Sequence, residues 1–344
     1  MKILMISPKA QGEGGIAGHV STLARKLAEM GHEVTVLSCT GTEGEVKDLK
    51  VSCSSRKGLA NLSFMAKASL KVSNDYDVVH GHNAPSVIPL ALSRGKRKVM
   101  TIHGPYSEQV PRKLKWGAKL LEWLTFRVAD VVTVVSKTTQ RWYESRGYHT
   151  VYVPNAIDPD DFLDVRGERL FDTQVVYVGR MSPEKGVDLL VKAIPKFKDV
   201  GFLLVGGGPL LGLIRRELEG LKNVVITGRV SRKKALQYIK GSDLLVLPSR
   251  SEGLSTVLLE AGYLGVPIVA SSIEGNKEVS DGHAYFFDLE PGREVDNLVE
   301  AIRRALKGEE EVAERLRERV LKNYTWEVAL QGYLRVYDVV DQES

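Results

Sequence analysis

DLLVLPSRSEGLSTVLLEAGYLGVPIVAS, residues 243–271, decides the architecture. The apolar run Asp243–Leu247 reads as a strand buried on both faces. A polar loop carrying Glu252 and Gly253 follows, a helix begins near Ser255, and Gly265 with Pro267 close it. Pro267–Ala270 is then a second strand. Strand, helix and strand in close succession are the unit of a parallel sheet with helices on its faces.

The same alternation runs outward to both ends of the 344 residues. In the first half, strands are expected at Lys2–Ile6, Glu33–Leu37, Asp77–His80, Lys98–Ile102, Val131–Val135 and Val151–Val153. In the second half they are expected at Gln174–Val178, Phe202–Val205, Val224–Thr227, Asp243–Leu247, Pro267–Ala270 and Ala284–Phe287. Helical patterns at His19–Met30, Leu189–Phe197, Thr256–Leu264 and Trp326–Val340 lie among them. Twelve strands exceed one doubly wound sheet, so two α/β domains are expected. PNAIDPDDF (Pro154–Phe162), with its prolines and acids, marks the boundary. The expected division is 1–155, 156–325, and a terminal helix over 326–344 that packs back on the first domain.

Composition narrows the function. A formal charge of +5 is too small an excess to argue for nucleic acid, and no zinc-finger spacing or RNA-binding aromatic signature occurs. No run approaches the length of a spanning helix. Cys39 and Cys53 form no close-spaced pair, which argues against a zinc ribbon or disulfide scaffold and for a reducing cytoplasm.

Three segments have the chemistry of an anion site. GEGGIAG (Gly12–Gly18) follows the first strand and opens a helix, so its backbone can approach a phosphate. Its glycines begin five residues after Ser7, and VTVLSC lacks the ribose-binding acid, so a dinucleotide fold fits poorly. In VVYVGRMSPEKG (Val175–Gly186), Ser182-Pro183 reads as a helix N-cap and first turn, and Arg180 and Lys185 flank it. Two cations at a sheet's C-terminal edge suit a diphosphate, although solvated surface cations would look the same. In the opening stretch, Glu252 would meet a sugar. Glu260, among Leu258, Leu259 and Ala261, sits too far into apolar surroundings for an idle carboxylate.

In order along the chain, GEGGIAGHV, TIHGP, VPNAID, RMSPEKG, LVGGGP, the E-x7-E pair Glu252 and Glu260, and YTWEVAL resemble the retaining glycosyltransferases of family 4. The resemblance covers nearly the whole chain. It implies the GT-B fold, two doubly wound Rossmann-like α/β domains facing a central cleft, and hexosyl transfer from a UDP- or GDP-linked sugar. Gly14 and Gly15 would lie against the donor diphosphate, and Arg180 and Lys185 would neutralise it as it leaves. Glu252 would hydrogen-bond the transferred sugar, and the backbone from Gly253 and Leu254 through Ser255, Thr256 and Val257 would hold sugar and phosphate. Glu260 would bind the ribose, the loop at Arg229-Val230 the base, and His103 would sit at the reacting sugar. No metal and no cofactor are expected, since no Asp-x-Asp motif is placed to recruit an ion. Two positions depart from the family: Gly275-Asn276 stands where a Gly-Gly pair is usual, and Ala156 replaces a linker glycine.

His80 and His82 share a side of their strand; a metal site there would need further ligand-spaced residues that do not accompany them, and a role lining an acceptor cleft competes with plain packing or surface. A sugar, glycan or lipid-linked acceptor is expected, without nucleic acid. From about Pro111, a helix would carry Lys115, Lys119 and Glu122 on one polar stripe, with Trp116 and Trp123 among the cations. That pattern fits an ordinary surface helix, or peripheral contact with an anionic membrane on the cytoplasmic side. A GT-B epimerase or phosphorylase and a non-catalytic nucleotide-sugar-binding subunit are the competing functions.

Overall fold

The computed structural model describes residues 1–11, 15–42, 46–56, 59–72, 75–308 and 310–338, without the side chain of Gln109. Strands of the first half are β1 (Lys2–Ile6), β2 (Glu33–Ser38), β3 (Lys47–Lys50), β4 (Val78–His82), β5 (Arg97–Ile102), β6 (Val131–Val134) and β7 (Val151–Tyr152). They form a parallel sheet in the order β3-β2-β1-β4-β5-β6-β7. Those of the second half are β8 (Gln174–Val178), β9 (Gly201–Val205), β10 (Val224–Gly228), β11 (Leu244–Leu247), β12 (Ile268–Ser271) and β13 (Tyr285–Phe287). Their order is β10-β9-β8-β11-β12-β13, again parallel. Each expected strand is present to within a residue or two at its ends. The addition is β3, KDLK, a charged and mostly exposed edge strand with no apolar alternation to announce it.

The second sheet shows why its strands read as continuous apolar runs. Val175, Tyr177, Phe202, Leu204, Leu244, Val246 and Val269 face one core. Their neighbours Val176, Leu203, Val205, Leu245, Leu247, Ile268 and Ala270 face the other. Successive side chains point to opposite faces, and helices cover both, so both sets of positions are apolar.

The chain divides into two compact units. One holds Met1–Asn155 and the chain from Glu327 on, the other Ala156–Trp326. Within the second unit, Ile157 and Thr325 bridge, and the Trp326 amide donates to the Ile157 carbonyl. Within the first, Tyr333 and Tyr337 of the Trp326–Tyr337 helix are fully buried, and Arg97 donates to the Val336 carbonyl.

Three sequence expectations need correction. Cys39 and Cys53 are joined by a disulfide with their Cα atoms 5.6 Å apart. The unrecognised strand β3 carries the chain back beside the end of β2, and the argument for a reducing compartment lapses with it. Ser182 does stand at an N-cap position with Pro183 in the first turn, but no α-helix starts there. Pro183–Lys185 is a 3-10 turn, and Ser182 Oγ donates to Glu184 Oε1 instead of capping. Gly186 then takes a left-handed φ of 64° and the helix Val187–Ala193 begins. Glu122 is not on a polar stripe. In the helix Lys115–Val128 it is buried, accepting from the Ser107 amide at 3.0 Å and the Tyr143 hydroxyl at 2.9 Å.

Candidate active site

In the second sheet the strand order reverses beside β8: β9 and β10 lie on one side, β11 to β13 on the other. Loops after β8 and β11 therefore part to opposite faces, and ligands bind in the crevice left at such a switch point. Lys185 comes from the first loop and Glu252 from the second. Lys185 Nζ lies 2.6 Å from Glu252 Oε1, a charge-assisted contact between two of the expected catalytic groups. Ser249 Oγ donates to the same carboxylate oxygen at 2.8 Å. Backbones crowd closely enough here to require glycine. A Cβ on Gly186 would meet the Pro248 carbonyl oxygen at 1.8 Å, and one on Gly275 would meet that of Glu252 at 2.6 Å.

Beyond Glu252, Gly253 and Leu254 are partly buried and Ser255 caps the helix Thr256–Tyr263, its side chain accepting from the Leu258 amide. That leaves the Thr256 and Val257 amides at the positive end of the helix, where an anionic group is favoured. Glu260 is buried one turn on. Burial raises its pKa, opposed by the Arg232 guanidinium, whose Nε donates to Oε1 at 3.0 Å. Arg232 also pairs with Asp161. Val230 packs on the core beneath, and the Arg229 side chain lies against Gly207. Arg180 is largely exposed, 3.9 Å from Glu184.

In the first unit four histidines meet at the C-terminal ends of β4 and β5 and on the helix Gly15–Glu29. His80 uses both ring nitrogens, Nδ1 with the Tyr337 hydroxyl and Nε2 with Thr101 Oγ1, each at 2.7 Å. His19 does likewise with Asn155 at 3.0 Å and Tyr333 at 2.9 Å. His82 Nδ1 is 3.3 Å from His103 Nε2, while His82 Nε2 is buried with no hydrogen-bond partner. Asn83, at a φ of 61°, accepts the His103 amide on Oδ1 at 3.1 Å. Desolvation holds His19 at a pKa of about 4 and His80 at about 3, and drives His82 and His103 well below the ordinary value. All four are neutral at pH 7. Ring nitrogens of His19, His82 and His103 lie within 4.8 Å of one another, which is metal-ligand spacing. His19, however, commits both nitrogens to hydrogen bonds. His80 and His82 are both fully buried, and His80 is tied to the terminal helix, so of the readings left open by the sequence packing is the one His80 fits. Gly15 is exposed at its helix start, and Gly14 lies outside the described residues.

Comparison with known proteins fits this arrangement. The Glycosyltransferase Family 4 model matches residues 13–161 and the Glycosyl transferases group 1 model residues 172–308. The chain belongs to glycosyltransferase family 4. The phosphatidyl-myo-inositol mannosyltransferase of Mycolicibacterium smegmatis is 29% identical to this transferase over 371 residues, covering 99% of this chain and 94% of that one. Among solved structures, sucrose-phosphate synthase from Thermosynechococcus elongatus superposes with a TM-score of 0.82 at 21% identity, covering 97% and 98% of the two chains. Anabaena HepE, in complex with UDP and glucose, gives 0.77 at 17%, covering 99% and 100%. The fold is GT-B.

Hydrogen bonds that the sequence did not reveal hold the Glu252 loop in place. Asn276, fully buried, donates to the Ser271 carbonyl at 3.0 Å and Oγ at 3.2 Å. Ser271 Oγ donates to the Ser249 carbonyl, and Ser249 donates to Glu252. The residue that departs from the family's Gly-Gly pair thus anchors the loop bearing Glu252. Arg232 and Asn83 were missed as well. A single Arg at a helix start, or a single Asn in a loop, carries no periodic signal.

Proposed function

We propose that this glycosyltransferase moves a hexose from a UDP- or GDP-linked sugar to an acceptor hydroxyl, with retention of configuration and without a metal ion. The observation that carries this reading is the Lys185–Glu252 pair at the sheet's switch point, beside the amides that open the Thr256–Tyr263 helix. Lys185, with Arg180, supplies positive potential where charge develops on the departing diphosphate, in the role a metal plays elsewhere. Glu252, released from Lys185 when the phosphates arrive, accepts hydrogen bonds from the sugar. Glu260 receives the ribose hydroxyls, and the Arg229-Val230 loop lies at the base. Among the described residues we assign no carboxylate as a nucleophile for double displacement, so attack from the leaving-group face is favoured, with a donor phosphate oxygen taking the acceptor proton. The acceptor is lipid-linked, a choice supported by the mycobacterial relative's name. A cytoplasmic location rests on the donor alone, now that the cysteines are paired.

Thermal-shift titration against UDP-, GDP- and ADP-sugars identifies the donor, because a ligand that binds only the folded state raises its stability. Anomeric analysis of the product by NMR, with and without EDTA, then tests the rest. An inverted product, or activity abolished by EDTA and rescued by Mg²⁺ or Mn²⁺, would overturn the mechanism.

A further inference from the structure

The helix Lys115–Val128 and the turn before it present a surface that sugar-nucleotide binding does not use. Trp116, Leu120, Trp123 and Arg127 recur at spacings of four, three and four, so they form one stripe along the helix. This stripe points outward: Trp116 is 79% exposed, Leu120 47% and Trp123 44%, and Leu114 in the preceding turn is 58% exposed. The inward side is occupied by Ala118, Glu122 and Thr125, with Leu121 and Leu124 against the core of the first unit. A stripe this apolar and this exposed is unusual on a surface helix.

Charge says what fits it. Arg112, Lys113, Lys119 and Arg127 are exposed around the apolar stripe. The helix has one acid, Glu122, which is turned inward onto Ser107 and Tyr143. The neighbouring Glu108 is paired with Lys115 at 2.8 Å. The outward face is therefore cationic and aromatic, with the Arg127 guanidinium 5.1 Å from the Trp123 ring centre. A second copy of the same face would repel it. An anionic bilayer matches both features, since tryptophan favours the headgroup boundary and cations are drawn to the lipid phosphates.

We infer that the Arg112–Arg127 face docks the enzyme on anionic membranes, with Trp116, Leu120 and Trp123 entering the headgroup boundary. This deepens the reading of a lipid-linked acceptor and rests on it for its purpose. The docking itself is measured without donor or transfer, so either can fail alone.

The test is co-sedimentation of the full chain with phosphatidylcholine vesicles, with and without phosphatidylglycerol, at low and high salt. Binding is expected only with phosphatidylglycerol, weakening as salt rises, with a blue shift of tryptophan emission. Lys113→Glu with Lys119→Glu should weaken binding at least about 20-fold. Trp116→Ser with Trp123→Ser should remove the blue shift and most of the binding. These side chains are exposed, and unchanged Tm and nucleotide affinity verify that the variants are folded. Equal recovery in the supernatant with both vesicle types overturns the inference. So does vesicle binding indifferent to the tryptophans and matched by a soluble polyanion such as heparin, which would make the face a general acidic-polymer site.

Discussion

Lys185 Nζ stands 2.6 Å from Glu252 Oε1, and the two groups are unequally buried: the Lys side chain is 31% exposed, the Glu side chain 9%. Removing one partner therefore has different consequences from removing the other. Lys185→Ala leaves a buried carboxylate with Ser249 as its remaining donor, whereas Glu252→Gln leaves an ammonium that water can reach. Both variants should lose transfer by at least ~100-fold, the scale of losing one charge-stabilising group. Lys185→Ala should show the larger fall in Tm. Near-wild-type turnover in both would remove the pair from the chemistry.

Gly275→Ala tests the close approach behind Glu252. In an unconstrained helix this change would stabilise by about 0.5–1 kcal/mol. Here the added Cβ would meet the Glu252 carbonyl oxygen at 2.6 Å and that of Gly253 at 3.0 Å, so the loop must move. The expected result is a kcat decreased at least about tenfold, a displacement of the order of 1 Å being enough to cost more. Nucleotide affinity should fall less than kcat, because the proposed ribose and base contacts at Glu260 and the Arg229-Val230 loop lie away from the displaced backbone. Unchanged steady-state kinetics would mean that the loop yields without consequence.

What the sequence revealed and what it hid have a common physical cause. Strands buried on two faces, such as β1 and β11, are continuous apolar runs, and helix-flanked glycines mark the turns between them. β3 is invisible because a charged edge strand, KDLK, meets solvent and owes its place to β2. Lys185, Glu252 and Glu260 were legible through their spacing and family resemblance. Their partners Arg232, Ser249 and Ser271 were not, nor were the contacts of Asn276, since hydrogen bonds between elements distant in sequence leave no pattern in a single chain. Glu122 was assigned to solvent by helical phase alone. Tyr143, from the next helix, supplies the hydroxyl that lets it be buried.

With Glu260 at the ribose as proposed, nucleotide binding should depend on pH in a particular range. Burial raises its pKa above that of an ordinary glutamate, against the pull of Arg232. The carboxylate that should accept from the ribose is thus lost at a higher pH than usual as the solution is acidified. Titration of a nucleoside diphosphate by calorimetry should show affinity falling through that raised value in the wild type, with the limb absent from Glu260→Gln. The stability consequence has the opposite sense. A folded-state pKa above the unfolded one gives a contribution present below the unfolded value and lost as pH rises through the folded one. A limb that persists unchanged in Glu260→Gln would assign it to another group.

The Cys39–Cys53 disulfide closes a loop across a sequence separation of 14 residues. For a loop of about 15 residues the chain-entropy model gives about 3 kcal/mol. Dithiothreitol should lower the Tm of the wild type and leave a Cys39→Ala, Cys53→Ala double variant unaffected, since the chain has only these two cysteines. Thiol titration in denaturant without reductant should find none. Two free thiols in freshly purified protein would place these cysteines in the reduced form.

The histidine cluster predicts behaviour in acid, with a sign fixed by burial. His19 titrates at about 4 and His80 at about 3 in the folded chain, while His82 and His103 are held well below the ordinary value. On unfolding, each regains a pKa near 6.5 and takes up a proton. Their depressed values therefore stabilise the fold above pH 6.5, and that stability drains away as pH falls toward 4, by up to about 1.4 kcal/mol per pH unit for each histidine. His80→Gln should make the decline in unfolding free energy shallower by roughly one proton, measured by urea titration between pH 7 and 4. Tyr337→Phe removes the hydroxyl 2.7 Å from His80 Nδ1 and should cost about 1–3 kcal/mol while leaving the proton count unchanged. The same depression bears on the proposed catalytic role. With His103 held well below the ordinary value by burial, kcat should show no histidine limb near pH 6.5, and His103→Gln should lower the rate without reshaping the profile. A wild-type limb near 6.5 that disappears in His103→Gln would mean that His103 is solvated and charged during turnover, and the buried hydrogen-bond network around it would have to open in the catalytic cycle.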